Sequence, residues 1–327
     1  MIIKEREIPL RVLKLEALAR RLPDSHPKMP NILRELANRK AGYRGESSLD
    51  YHLSFLQNKE YLILHGLRIQ NQQGYFFQMD TLVLSPNFIS IIEVKNYRGT
   101  ITFDNHFNQL IQTVEESRRA LEDPTLQVKR QLYQLKEWLK KHKFNLIPIH
   151  PLVIISNPST IIESTSHPSY FKHISHSINL PAKFHELEKM SRKEYIQKRE
   201  LKKLARMLMK NHSPQEYDVL KHFNLKPNDL RKGVQCPHCL SIPMKRKNGK
   251  WLCQECKERS RNAHVFALKD YSLLVGQTIT NKKLRDFLLL ASEDSARYIL
   301  QSMNLPHTGK TKGRAYILPS HSKDAKK

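Results

Sequence analysis

The four cysteines of this 327-residue chain fall into two closely spaced pairs. They form Cys236-Pro-His-Cys239 and Cys253-Gln-Glu-Cys256, with thirteen residues between the pairs. Two C-x2-C knuckles at such a spacing are typical of a tetrahedral zinc site, with each sulfur about 2.3 Å from the ion. A disulfide scaffold needs more cysteines, and a redox motif needs a single pair. We therefore expect a structural Zn²⁺ site that uses all four cysteines.

The segment between the two knuckles is a basic turn followed by an aromatic residue. It reads Lys245-Arg-Lys-Asn-Gly-Lys-Trp251 and resembles the hairpin of a zinc ribbon. Such a hairpin would place Lys245, Arg246, Lys247 and Lys250 on phosphates and Trp251 against a base. The alternative is a solvated turn whose tryptophan packs on the knuckles.

The chain is strongly basic, with 56 Lys and Arg against 31 Asp and Glu and a formal net charge of +25. This charge favours a polyanionic partner, either nucleic acid or an anionic membrane surface. Residues 41–150 are nearly neutral, with thirteen basic and eleven acidic residues, so the excess lies outside them. The apolar runs are far shorter than the ~20 residues of a membrane span, and the first residues lack a secretory signal. These features predict a cytoplasmic protein that does not enter a membrane.

Hydrophobic periodicity predicts an α/β core in the first half of the chain. We expect helices over 3–22, 42–56 and 125–142, and strands over 61–69, 75–84, 88–95, 100–103 and 151–155. Residues 160–232 are polar and partly helical, over 186–209, and are interpreted as a basic connecting segment.

Two neighbouring strands of this core carry charged residues at their ends. On one strand lies Asp80, and on the next lie Glu93 and Lys95, which project on the same face because side chains alternate along a strand. Two carboxylates and an ammonium suit metal-dependent phosphodiester hydrolysis, with the carboxylates holding Mg²⁺. The alternative is a salt bridge at the edge of a hairpin.

Four short motifs occur together in this part of the chain. They are Gly42-Tyr-Arg-Gly-Glu46, Gln78-Met-Asp80, Ile92-Glu-Val-Lys-Asn96 followed by Gly99, and Asp123-Pro-x-x-Gln127. Their order and spacing resemble the NERD (nuclease-related) domain, a branch of the PD-(D/E)XK restriction-endonuclease-like superfamily, over about residues 40–155. Met79 departs from the β-branched aliphatic residue that is usual there.

The resemblance implies a mixed sheet flanked by helices and a metal-dependent nuclease site. In that site Glu46 would be the helix carboxylate, and Asp80 and Glu93 would bind Mg²⁺ or Mn²⁺. Lys95 would be the catalytic lysine and Gln127 the helix glutamine beside it.

The C-terminal segment resembles a winged helix. Residues 280–290 and 295–303 have helical patterns, and 309–318 reads as a basic hairpin. The second helix would enter the major groove, while Lys310, Lys312 and Arg314 would contact phosphates. The alternative is a small helical cap with a solvated basic turn.

The predicted organisation has five parts: an N-terminal helical segment (1–40), the nuclease-like domain (41–158), a helical basic linker (159–232), the zinc ribbon (233–270) and the winged-helix-like module (271–327). The function predicted from it is metal-dependent hydrolysis of DNA. The alternative is a catalytically inactive, nuclease-like DNA-binding or scaffold protein. Association with an anionic membrane is a third hypothesis, but the chain lacks a basic amphipathic helix with aromatic anchors.

Overall fold

The computed structural model describes residues 1–56, 60–104, 106–144, 146–164 and 172–319, and leaves the side chain of Lys312 undescribed. The chain divides into two compact units. Unit 1 comprises Met1–Ile8 and Lys40–Gln215, and unit 2 comprises Pro9–Arg39 and the residues from Glu216 onwards. Within the described residues, no helix is both long and apolar enough to cross a membrane.

Unit 1 is built on a six-stranded mixed sheet and a smaller four-stranded one. Its strands are β1 (Ile2–Lys4), β2 (Leu62–Gln70), β3 (Phe76–Leu84), β4 (Ile89–Lys95), β5 (Thr100–Asp104), β6 (Gln109–Val114), β7 (Ser117–Glu122), β8 (Ile149–Ile155), β9 (Ile161–Ser164) and β10 (Ile174–His176). The strand orders are β1-β2-β3-β4-β8-β10 and β7-β6-β5-β9. In the large sheet β2, β3 and β4 are antiparallel, whereas β1, β8 and β10 join their neighbours in parallel.

Helices cover both faces of the large sheet. The helices with residues in unit 1 are α2 (Met29–Ser54, from Lys40 onwards), α3 (Pro124–Lys141), α4 (Leu180–Met190) and α5 (Lys198–Lys210). Along β4, Ile91 joins a core with apolar residues of α3 and α5, while Ile92 joins a core with those of α2 and α4. This alternation places Glu93 and Lys95 on the face that carries α3. The mixed α/β class and its flanking helices are therefore confirmed.

Several elements differ from the sequence-based expectation. Helix α2 begins at Met29, well before the expected start near residue 42, because Pro30 is compatible with the first turn of a helix. The hairpin of β6 and β7 was not expected, since β7 reads SRRALE and has no alternating apolar pattern. The helix expected over 186–209 is two helices, α4 and α5, which end and begin on either side of 191–197.

Unit 2 contains the cysteine knuckles and the C-terminal helices. Its elements are α1 (Leu10–Arg21), α6 (Val219–His222), β11 (Lys245–Lys247), β12 (Lys250–Leu252), β13 (Arg259–Ser260), α7 (Ala263–Leu274), β14 (Thr278–Thr280), α8 (Asn281–Leu288), α9 (Glu293–Ser302), β15 (His307–Thr308) and β16 (Ala315–Ile317). From α7 onwards the order is helix, strand, helix, helix, strand, strand, and the small antiparallel sheet has the order β14-β16-β15. This is the topology of a winged helix, and it confirms the winged-helix-like expectation.

The cysteine knuckles and the winged helix share one hydrophobic core. Cys236, Cys253 and Trp251 pack in the same cluster as Tyr271 of α7 and Phe287 of α8. A buried ion pair adds to the unit: the Arg21 guanidinium is fully buried and donates to Asp270 at 2.7 Å. Because removing one partner leaves the other charge buried and unpaired, such a pair resists substitution at either end.

Gly45 of α2 allows the helix to approach the ends of β4 and β8. A Cβ at position 45 would lie 2.7 Å from the Asn96 Cβ and 2.7 Å from the Ser156 Oγ, whereas a Cβ at Gly42 of the same helix would meet nothing within 4 Å. We predict that Gly45→Ala lowers the free energy of unfolding by about 1–3 kcal/mol, as overpacking does.

Gly42→Ala is the matched control for this prediction. It should leave stability unchanged or raise it by up to about 1 kcal/mol, since alanine is the better helix former. Urea denaturation of both variants measures the difference. Equal effects of the two substitutions would contradict the proposed close approach at Gly45.

Candidate functional site

The candidate site lies where the ladder between β3 and β4 ends. The last paired residues are Thr81 and Ile92, so Asp80 and Glu93 would form the next pair. Instead, the Asp80 Oδ2 accepts the backbone N–H of Val94 at 2.9 Å. The carboxylate of Asp80 thus satisfies a backbone donor that the ladder leaves open.

Glu93 is almost completely buried, with 2% of its surface exposed. Its Oε1 accepts hydrogen bonds from the Lys95 Nζ at 2.8 Å and the Gln127 Nε2 at 2.6 Å. The Gln131 Nε2 donates to its Oε2 at 2.8 Å. Three donors therefore compensate the charge of a carboxylate that would otherwise be costly to bury.

Lys95 and Gln127 also contact each other directly. The Lys95 Nζ donates to the Gln127 Oε1 at 2.8 Å, so Glu93, Lys95 and Gln127 form a closed triangle of hydrogen bonds. The motif residues Asp80, Glu93, Lys95 and Gln127, distant in sequence, are thus brought together on one face of the sheet.

Helix α3 begins at a fixed point that sets the direction of its glutamines. Asp123 caps the helix by accepting the Thr125 backbone N–H at 2.7 Å, and Pro124 occupies the first turn. Gln127 and Gln131 are then one turn apart and point toward the same carboxylate.

Gln131 was missed by the sequence analysis. It is buried, and its Nε2 donates both to Glu93 and to the backbone carbonyl of Gln78 at 2.9 Å. Its spacing of four residues from Gln127 is the sequence signal that could have identified it.

Glu46 belongs to a second polar cluster, which joins α2 to β2 and β3. The Arg6 Nη1 donates to the Glu46 Oε2 at 3.3 Å, and the Arg6 Nη2 donates to the Asp50 Oδ1 at 2.8 Å. The same Nη2 lies 2.9 Å from the His65 Nδ1. Burial, reinforced by the charge of Arg6, lowers the pKa of His65 to about 4, so this imidazole is neutral and accepts from Arg6.

Like Asp50 and His65, Arg6 is a residue of this cluster that sequence reasoning did not find. It precedes every motif of the nuclease-like segment, and a single arginine near the N-terminus of a basic chain carries no recognisable pattern. Only the parallel pairing of β1 with β2 brings this part of the chain to the site.

The electrostatics of the site favour a bound cation. Burial raises the pKa of Asp80 well above its usual value, and the charges of Glu93 and Glu46 raise it further. Burial also raises the pKa of Glu46, although Arg6 opposes this effect. Burial disfavours the charged form of Lys95, but the charge and hydrogen bond of Glu93 outweigh it, so the pKa of Lys95 is raised and the side chain stays an ammonium.

The donor set of Asp80 and Glu93 suits magnesium. Mg²⁺ in proteins is commonly held by one or two carboxylates, with waters and substrate phosphates completing the octahedron. Asp80 and Glu93 supply two carboxylates on adjacent strands, and the raised pKa of Asp80 reflects negative charge that a cation would neutralise. Both residues therefore fit such an ion.

The four cysteines form a compact cluster of sulfur atoms. Their Sγ atoms all lie within 4.8 Å of one another, with Cys236 and Cys256 3.6 Å apart and Cys239 and Cys253 3.5 Å apart. The edge of a zinc–sulfur tetrahedron is about 3.8 Å for bonds of about 2.3 Å. Among the described residues, these four cysteines are the set of three or more His, Cys, Asp or Glu side chains whose ligand atoms lie close enough together to hold a metal ion. The set could bind zinc.

The basic turn of the ribbon is exposed, but its aromatic residue is not. Lys245, Lys247 and Lys250 are exposed, and Arg246 is half-buried with its guanidinium 5.1 Å from the Trp251 ring. Trp251 is 1% exposed, and its indole N–H donates to the His264 Nδ1 at 3.1 Å. The expected stacking of Trp251 on a base is therefore wrong, because the shared core of the ribbon and the winged helix takes up the ring.

The wing between β15 and β16 carries the remaining basic candidates. Lys310 is exposed. Arg314 is half-buried, and its buried Nε has no hydrogen-bond partner within the described residues. The side chain of Lys312 lies outside the described residues.

The negative charge of Asp80, Glu93 and Glu46 should affect the thermal stability of the protein. We predict that Asp80→Asn raises the unfolding temperature of the protein at pH 8 without added Mg²⁺ or Mn²⁺, because it removes a charge that desolvation and the neighbouring carboxylates disfavour and keeps an oxygen for the Val94 N–H. Since folding raises the pKa of Asp80, the stability of the wild type falls as the pH rises through that pKa, and the advantage of the variant should shrink toward pH 4. Thermal unfolding of the zinc-loaded protein with and without added Mn²⁺ should show that Mn²⁺ stabilises the wild type and not the variant.

Asp104→Asn is the control for this test. Hydrogen bonds from the Gln109 side chain and the backbone lower the pKa of Asp104, so this variant should be no more stable than the wild type and should keep the response to Mn²⁺. A loss of the Mn²⁺ response in both variants, or in neither, would contradict the assignment of the ion to Asp80.

The candidate site lies within a segment of the chain that matches a known protein family. A family model described as NERD, the nuclease-related domain, matches residues 41–156. An uncharacterized protein from Bacillus anthracis is 26% identical over 113 residues, which cover 34% of this chain and 53% of that protein. The chain thus spans about half the length of this curated relative. No solved structure gives a significant match.

The matched segment contains all five residues that the resemblance assigned to a site, from Glu46 in α2 to Gln127 in α3. It also contains the end of the β3–β4 ladder that positions Asp80 and Glu93. Arg6 lies outside it. Residues 41–156 of this chain are thus similar to the NERD nuclease-related domain.

Proposed function

We propose that the protein is a metal-dependent nuclease that hydrolyses phosphodiester bonds of DNA. The observation that carries the proposal is the pair of carboxylates Asp80 and Glu93 beside the Lys95 ammonium, within a nuclease-related domain. Two neighbouring carboxylates can bind a divalent metal ion, and a hydrogen-bonded ammonium beside them can contact a phosphate group.

Asp80 and Glu93 would hold Mg²⁺ or Mn²⁺. When bound, such an ion supplies Lewis-acid polarisation of the phosphate and lowers the pKa of a coordinated water. Glu93 is held in place by Gln127 and Gln131, and Asp80 by the Val94 N–H, so both carboxylates are positioned before substrate arrives.

Lys95 would contact the phosphate that is attacked. Its ammonium lies between Glu93 and Gln127, and the interaction with Glu93 keeps it protonated. A fixed positive charge stabilises the additional negative charge that develops on the phosphate oxygens in the transition state. Glu46, neutralised in part by Arg6, would add to the field around the metal site.

Unit 2 would bind the nucleic acid. The exposed Lys245, Lys247 and Lys250 of the ribbon and Lys310 of the wing present positive charge, and a winged helix is a common DNA-binding module. The four cysteines would hold a structural Zn²⁺, since four thiolates complete its coordination and leave no open position for catalysis.

The nuclease proposal predicts that Asp80→Ala and Lys95→Ala each lower the rate of DNA cleavage by about 10²-fold or more, because each removes charge stabilisation from the transition state. The measurement is the rate of cleavage of circular and linear DNA with Mg²⁺ or Mn²⁺. Nicking of the circular substrate identifies an endonuclease.

Two exposed residues serve as matched controls in the same assay. Glu116→Ala and Lys141→Ala remove a carboxylate and an ammonium from the surface of unit 1 and should leave the rate unchanged. Full activity of the Asp80 and Lys95 variants would refute the proposal. DNA binding by the wild type without cleavage under any divalent ion would favour an inactive, nuclease-like binding protein.

The zinc proposal predicts that each wild-type chain binds one zinc ion and that Cys253→Ser loses this ion. The variant should also lose the cooperative unfolding transition of unit 2, because the metal contributes folding free energy to such a small module. Atomic emission spectrometry and calorimetry measure the two effects. His238→Ala is the control, since this exposed histidine lies within the first knuckle and is not needed as a ligand. Retention of zinc by the Cys253 variant would contradict a four-cysteine site.

A further inference from the structure

A cleft in unit 1 lies beside the carboxylate site and takes no part in it. It lies between the turn that joins β2 to β3 and helix α3, and has a volume of about 900 Å³. We call it the aromatic cleft; its twelve lining residues include the aromatic residues Tyr75, Phe76, Tyr133 and Trp138 and the basic residues Lys129 and Arg130. Its volume is in the upper part of the usual range for ligand sites, which is about 300–1,000 Å³.

The aromatic cleft exposes large aromatic rings to solvent. Tyr75 is 73% exposed, Tyr133 is 68% exposed and Phe76 is 41% exposed, whereas Trp138 is 4% exposed and lies at the base. The Arg68 guanidinium lies 3.8 Å from the centre of the Phe76 ring. Three such rings around one concave surface form a patch that a ligand with flat, stackable groups would cover.

The charge of the cleft favours an anionic ligand. Lys129 and Arg130 line it and Arg68 lies on Phe76, whereas the acidic residues are Glu137 of the lining and Glu122, which forms an exposed ion pair with Arg130. Rings for stacking next to basic side chains for phosphate are the combination used to bind single-stranded nucleic acid. A duplex is a poorer fit, because its bases are already stacked on one another and present only their edges.

The aromatic cleft and the carboxylate site are built on the same two elements. On α3, the lining residue Gln134 follows Gln131 by three residues, so the two lie on the same side of the helix about one turn apart. On β3, Phe76 precedes Asp80 by four residues, or about 13 Å of strand. Gln131 joins the two elements, since it donates to the Gln78 carbonyl and to Glu93. A strand bound in the cleft would thus lie within a few nucleotides of the carboxylates.

We propose that the aromatic cleft binds unpaired nucleobases of the substrate strand, so that the protein acts on single-stranded or frayed DNA in preference to intact duplex. This inference rests on the proposed nuclease function and adds the class of substrate. Tyr75 and Tyr133 stack on bases, and Lys129 and Arg130 contact the adjoining phosphates.

The test uses full-length protein carrying Asp80→Ala, so that bound DNA is not cut. In this background we expect the double substitution Tyr75→Ala with Tyr133→Ala to weaken binding of a labelled single-stranded oligonucleotide by about tenfold or more. Binding of a blunt hairpin duplex should change less than about twofold. The conservative pair Tyr75→Phe with Tyr133→Phe should retain the wild-type affinity, because stacking needs the ring and not the hydroxyl.

Tyr51→Ala is the matched control. Tyr51 is 68% exposed, as Tyr133 is, but it lies on α2 and does not line the cleft. Its removal should leave the affinity for single strands unchanged.

A photocrosslink separates binding in the cleft from binding by unit 2. Single-stranded DNA that contains 5-iodouracil should form adducts at Tyr75 or Tyr133, mapped by mass spectrometry. Adducts confined to peptides of unit 2, or equal loss of single-strand and duplex binding, would overturn the proposal. An unchanged affinity of the double alanine variant for single-stranded DNA would also overturn the proposal, and would indicate that the exposed rings contact a protein partner instead.

The failure of this inference is distinguishable from failure of the nuclease proposal. If Asp80→Ala abolishes cleavage while the tyrosine substitutions change nothing, the nuclease stands and the aromatic cleft is not its substrate site. If the wild-type protein cleaves no DNA with any divalent ion, but single-stranded DNA crosslinks to Tyr133, the cleft binds DNA in a protein that does not cut it.

Discussion

The buried charge of Glu93 is the constraint on which the rest of the site depends. A carboxylate with 2% exposure is stable only when donors surround it, and here the donors come from three places in the sequence: Lys95 on its own strand, and Gln127 and Gln131 one turn apart on α3. The helix must therefore start where it does, and Asp123 and Pro124 set that start. The requirement to neutralise one side chain thus fixes the register of a helix against a sheet.

The second constraint is the end of the β3–β4 ladder. Where the strands part, backbone donors lose their partners, and Asp80 replaces one of them with its side chain. The end of the ladder costs little because the side chain of Asp80 replaces the lost hydrogen bond. On the other face of the sheet, Arg6 ties Glu46 and Asp50 together, so α2 is held at the same point by ion pairs and by the close approach at Gly45.

Much of this could be predicted from the sequence, where the signals are local or form an ordered set. The cysteine spacing predicted the cluster, the alternation along β4 predicted the common face of Glu93 and Lys95, and the ordered motifs predicted the nuclease-related domain. Arg6 could not be predicted, because its role depends on a parallel strand pairing across some sixty residues. Trp251 was misjudged because sequence does not reveal that the ribbon and the winged helix share a core. The β6–β7 hairpin has too few apolar residues to be recognised.

The division of the chain into units carries a consequence for its synthesis. Helix α1 packs its leucines with Val219, Leu220 and Leu273, all of which belong to the second segment of unit 2. A ribosome reaches Val219 some 200 residues after α1, which at about 5–20 residues per second takes roughly 10–40 s. During this interval the sheet of unit 1 can close, since all its strands lie before residue 216. Until then the apolar face of α1 has no packing partner from this second segment, so α1 is a part of the nascent chain that a chaperone would protect.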